Sequence, residues 1–222
     1  MNREEYAYQN RQQYVDWCMA VEQSPWTAID KLEFAIISAH CLMAAAIGGW
    51  LATRQLTMID DIANALDTAG VLAPRHKAAY IWAARVAVED GRPLPAVDYR
   101  EYREAVKWSG LGYCKLSFAA CLIDPFGSDI LCLDTHMLQV YLGYRPSPRE
   151  VHRLYRNISD YSYIESIVVL EADEVGLPPF AYQWAVWCWK RAKIDLLPPD
   201  SHDFLWAGGR RQYQLPLFSS LS

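Results

Sequence analysis

WSGLGYCKLSFAACLIDPFGSDILCLDTHMLQVYL, residues 108–142, is the stretch whose reading decides the fold. Two glycines flank one apolar residue at Gly110-Leu111-Gly112, a tight reversal between two helical patterns. The second pattern opens with Cys114 and Lys115, where the first backbone N–H groups have no helical partner and can meet a phosphate oxygen. A loop rich in turn residues, Asp124 to Asp129, follows. A short apolar run then ends in Asp134-Thr135-His136, and Met137, Leu138, Val140 and Tyr141 continue as a helix. Asp134 reads locally as an N-cap. It equally suits a carboxylate aimed into a cleft, where it steadies a cation or activates water.

Outside that stretch the pattern is helical throughout. Residues 4–22 read as one amphipathic helix, and 28–47 as an apolar central helix that Gly48-Gly49 ends or bends. Helices are expected at 57–69 and 73–90, each followed by a glycine. Residues 97–108, capped near Asp98, form the first helix of the hairpin, and 114–123 the second. Ser147-Pro148 opens a further helix at N-cap and N1. Helices at 162–175 and 178–194 complete the series, and no strand pattern stands out. The fold class expected is all-α, one domain of residues 1–222. Residues 28–142 are its core, with the hairpin at 98–123, and 1–27 and 143–222 form or complete a second lobe across a cleft.

The G-h-G turn, a lysine at the start of its second helix, and h-D-T-H about twenty residues on together resemble the helix-hairpin-helix DNA glycosylase superfamily. The resemblance covers about half the chain, from Leu32 to Leu142. It implies that Gly110, Leu111, Gly112 and Cys114 line the DNA backbone. It implies that Asp134 assists cleavage of the bond between base and sugar, and that Lys115, as in lyase members, attacks the sugar carbon. His40, His136, Gln183 and Trp187 fall where such enzymes place base-pocket or wedge residues, with Trp50 and Gln55 beside His40. For His40, Trp50 and Trp187 a place in the core reads equally well, and His136 equally sets a helix start.

Three departures from the family pattern bear on the chemistry. Ser109 stands where the family has proline before the first glycine. The family lysine lies two residues after the second glycine, where this chain has Cys114. Lys115 is one step later, about 100° further round a helix, yet it precedes Asp134 by 19 residues, close to the lyase spacing. Either Lys115 keeps the site through a one-residue shift, or Cys114 faces the site and Lys115 points elsewhere.

Composition limits the alternatives. Six cysteines are scattered at 18, 41, 114, 121, 132 and 188, without a C-x-x-C pair. Reduced thiols and a cytoplasmic setting, in a bacterial or phage-infected cell, fit that pattern. Only Cys188 lies in the C-terminal third, so no iron–sulfur cluster is expected. No other cofactor is required, although the resemblance allows a monovalent cation at the hairpin. No apolar run reaches membrane-spanning length, and MNREEYAYQN has no secretory-signal pattern. The partner expected is double- or single-stranded DNA, with the protein a monomer. Against that stands a net charge of −5, since phosphate neutralisation supplies most non-specific affinity. A local basic face resolves the conflict. Arg145, Arg149, Arg153 and Arg156 form one candidate, and Lys190, Arg191 and Lys193 another. The acidity also suits two rivals. One is a phage-type transferase that adds an amino acid or polyamine to an activated thymine derivative in DNA. The other is a non-catalytic DNA-binding module.

Overall fold

The computed structural model describes residues 1–39, 41, 43–91 and 113–192. Every regular element among them is an α-helix. In chain order these are α1 (Arg3–Gln9), α2 (Arg11–Glu22), α3 (Ala28–Ile37), α4 (Met43–Thr53), α5 (Ile59–Thr68), α6 (Pro74–Glu89), α7 (Tyr113–Ile123), α8 (Thr135–Leu142), α9 (Pro148–Leu154), α10 (Ile158–Val175) and α11 (Pro179–Ala192). The hairpin's first helix at 98–108, its turn Gly110-Leu111-Gly112, His40 and the tail after Pro198 lie outside the described residues.

The helix starts follow local chemistry. Thr27 and Asp30 close a capping box on α3, and Ser147 and Glu150 close another on α9, with Pro148 at the first helical position. Gly143 stops α8 at φ 74°, a left-handed conformation that costs glycine nothing.

Two expected elements differ from the pattern reading. The single helix at 4–22 is two helices, because the Asn10 side-chain amide donates to the Tyr6 carbonyl at 2.8 Å and competes with helical continuation. The helix expected at 28–47 ends at Ile37. There the buried Lys77 ammonium donates to the carbonyls of Ile37, at 2.7 Å, and Ala39, at 2.6 Å. Gly48 and Gly49 lie inside α4 rather than at its end. A Cβ on Gly49 would meet Val71 at 2.8 Å and Leu66 at 3.0 Å, so the glycine is there to let α4 approach α5.

The helices pack as two groups. In one, α3 lies against α4, α6 and α7, while α5 joins α4 to α6. In the other, α11 is surrounded by α1, α2, α8 and α10. Contacts of α2 with α7 join the groups, and one continuous apolar core runs through both. Within it Trp50 is fully buried against Trp26, ring centroids 4.1 Å apart, so this candidate is a core residue. Gln55 is exposed.

Charged side chains tie the groups internally. Arg85 of α6 donates to both Glu33 carboxylate oxygens, at 2.6 and 2.9 Å, and to the Thr53 carbonyl at the end of α4. Glu171 of α10 accepts from Arg3, from the Tyr141 hydroxyl at 2.7 Å and from the Tyr182 hydroxyl at 2.9 Å. That cluster connects α1, α8, α10 and α11.

Candidate active site

The segment leading into Asp134 is extended and buried, and it has no neighbouring strand among the described residues. Its backbone groups are satisfied by side chains instead, as a buried backbone requires. Leu131 N–H donates to Glu165 at 2.9 Å, and Cys132 N–H donates to the Gln183 side-chain oxygen at 2.8 Å. Tyr161 bridges two residues: its hydroxyl donates to the Leu131 carbonyl and accepts from Leu133 N–H, both at 2.9 Å. Helices α10 and α11 therefore set the position of Asp134 before its own side chain makes any bond.

Asp134 then caps α8. Its Oδ1 accepts from the backbone N–H of His136 at 3.0 Å and of Met137 at 2.9 Å. Its Oδ2 accepts from the Trp187 indole N–H at 2.8 Å. Three donors orient the carboxylate, which remains half-buried. Fixed in this way, it acts by charge, because shifting toward a new partner would break bonds to α8 or α11. Trp187 carries two further groups. The Arg191 guanidinium stacks on its face, 4.5 Å from the ring centre, and the His136 ring meets its edge at 6.2 Å.

Across from Asp134, the start of α7 shows which side chain is directed inward. Cys114 is buried, and its Sγ lies 3.5 Å from that of Cys132, two residues before Asp134. The hydrogen bond with Cys132 and the nearby Lys115 charge pull the Cys114 thiol below its ordinary value. The shared proton and burial push Cys132 up. The Tyr155 hydroxyl, at the end of α9, also bonds to Cys114. Lys115 is half-exposed, with its ammonium 5.8 Å from the Phe118 ring centre. It forms no ion pair with Asp134, although both charges act on the Cys114–Cys132 pair.

The structure thus brings Asp134, His136, Trp187, Cys114 and Lys115 into one neighbourhood. Gln183 joins them from the inside, holding the Cys132 amide while itself buried. Pattern reading missed Cys132, Tyr155, Tyr161 and Glu165. The even spacing of Cys132 before Asp134 hinted at the first. Nothing local marks the others, which reach the site from distant helices. Among the described residues no group of three or more His, Cys, Asp or Glu side chains could hold a metal ion. A surface depression of about 300 Å³ between α5 and α6, lined by Asn64, Asp67, Arg75 and His76, shares no residue with the site. No described helix is long and apolar enough to cross a membrane.

A scan against protein-family models gives no match, and neither does a search of the curated proteins. Among solved structures, the 8-oxoguanine DNA glycosylase of Thermotoga maritima superposes with a TM-score of 0.62 at 20% identity, over 87% of this chain and 94% of that one. The fold of this chain is therefore the all-helical one seen in that DNA glycosylase.

Proposed function

We propose that the protein cleaves the bond between base and sugar at a flipped nucleobase in DNA. The observation that carries this reading is the Asp134 carboxylate, fixed by α8 and Trp187 at one end of a side-chain-pinned segment. As the C1′–N bond breaks, its electron pair leaves with the base and positive charge develops on the sugar. A fixed anion stabilises that charge without reorganising. Water then adds to C1′, loses a proton, and leaves an abasic site. The likeness to an 8-oxoguanine glycosylase supports the fold for this chemistry and makes 8-oxoguanine the first base to test.

The inward place of Cys114 supports water, rather than Lys115, as the nucleophile. The test uses duplex and single-stranded oligonucleotides carrying 8-oxoguanine and other altered bases. Expected are free base and alkali-labile sites, lost in Asp134→Asn, with no borohydride-trapped adduct. An adduct that disappears in Lys115→Ala would restore the lyase reading. No base release from any substrate would overturn glycosidic cleavage. The same absent lysine step also suits a base-modifying transferase on this fold, whose mark is pyrophosphate release instead of free base.

A further inference from the structure

Helix α9 has two unlike faces. Leu154 is buried and Val151 and Tyr155 pack against the core, while Arg149, His152, Arg153 and Arg156 are exposed on the other side. Arg145 is exposed just before the helix. None of these four arginines makes a hydrogen bond or ion pair among the described residues. By contrast, Arg3 and Arg85 are committed to Glu171 and Glu33. Glu150, the acid within the ridge, is engaged by Ser147 N–H, the Ser147 hydroxyl and the Tyr144 hydroxyl.

A solvated helix face explains only part of this. His152 and Arg153 lie in the last turn, where cations favour the helix dipole. Arg149 sits in the first turn, where the same dipole disfavours a cation, and Arg145 lies outside the helix. Like charges four and seven residues apart on one face also repel. They recur here in a chain whose net charge is −5. The ridge ends at the site, because Tyr155, between Arg153 and Arg156, bonds to Cys114. From Arg149 to Arg156 the helix axis advances about 10 Å, roughly the rise of three nucleotides along one strand.

We propose that this arginine face, Arg145 to Arg156, is the surface that grips successive DNA phosphates beside the base presented to Asp134. The inference rests on the DNA reading above and adds the path the strand takes. It also explains how an acidic protein holds a polyanion: the attraction is confined to one ridge at the edge of the site.

The test measures affinity for a duplex oligonucleotide against salt concentration by fluorescence anisotropy. It compares wild type, a variant with Arg145, Arg149, Arg153 and Arg156 all changed to Gln, and a control with Arg11→Gln and Arg75→Gln. Each lost phosphate contact lowers the slope of log affinity against log salt by about 0.9. The ridge variant is expected to lose roughly three units of slope and at least 100-fold in affinity at low salt, with the control unchanged. Circular dichroism and the melting temperature report whether the variant keeps its fold, and single changes at Arg149 and Arg156 give graded losses if it does not. Wild-type binding with an unchanged slope in the ridge variant would overturn the proposal and leave the DNA reading standing. Equal losses in the control would overturn it too, as net charge alone would then be acting. Failure of the wild type to bind DNA even at low salt would overturn both.

Discussion

At the residue scale, Asp134 combines two roles that the sequence leaves as alternatives. It is the N-cap of α8, and its second oxygen is held by an indole from α11. The cap could be read from Asp-Thr-His followed by an apolar pattern. The indole could not, because Trp187 is 53 residues away and its aromatic neighbours suggest only core packing. Replacing Trp187 with Phe removes the hydrogen bond and keeps most of the packing. Base release is expected to slow by about 10-fold or more, since a hydrogen bond to a charged group is worth ~1.5–3 kcal/mol. Single-turnover kinetics with matched DNA affinity checks this, and an unchanged rate would show that the capping bonds alone position the carboxylate. Asp134→Asn keeps an oxygen to cap the helix, so its loss of activity is expected without a large fall in melting temperature.

At the element scale, helices and their ends were largely legible, while the places where helices break were not. Glycine and proline after an apolar period marked α5, α6, α8, α9 and α10 within a few residues. The end of α3 depends on Lys77, forty residues on, whose ammonium takes the carbonyls that would have continued the helix. Gly49 reads as a helix breaker but serves close packing. Gly49→Ala is therefore expected to destabilise the fold. Overpacking costs ~1–3 kcal/mol, offset in part by about 1 kcal/mol of helix propensity. Denaturant titration reads the net loss, and a stabilised variant would mean that Val71 and Leu66 can move aside. Glu33→Gln leaves Arg85 facing a neutral partner at the junction of α3, α4 and α6. A loss of about 3 kcal/mol, or roughly 6–12 °C in Tm, is expected.

At the scale of the whole molecule, N-terminal and C-terminal helices close on one another, a feature that hydrophobic periodicity cannot show. Arg3 reaches Glu171, and α1 packs on α11. The composition does foretell one property: many phenols and thiols are buried in a small volume. Burial raises Tyr6, Tyr14, Tyr141, Tyr155 and Tyr182 above the ordinary tyrosine value. It also raises Cys18 to about 12 and Cys188 to about 11. A group whose folded value is raised contributes stability fully below its unfolded value and loses it as pH climbs toward the folded one. Stability is therefore expected to fall from about pH 9 as the unfolded chain's thiols ionise, and more steeply from about pH 10 with its phenols. Lys31 and Lys77, lowered by burial, act in the opposite sense over the same interval but are fewer. Urea midpoints from pH 8 to 11 check the trend, with tyrosinate absorbance expected to rise together with unfolding.

The extended segment before Asp134 has a consequence for exchange with solvent. In a sheet, amide protons are protected cooperatively by a whole ladder. Here the amides of Leu131, Cys132 and Leu133 are each guarded by a single acceptor, respectively Glu165, Gln183 and Tyr161. Each is a separate lock, and each can be opened alone. Gln183→Leu should let the Cys132 amide exchange deuterium faster while Leu131 and Leu133 keep their rates. Those three protons would then report, residue by residue, on how firmly α10 and α11 grip the strand that carries Asp134.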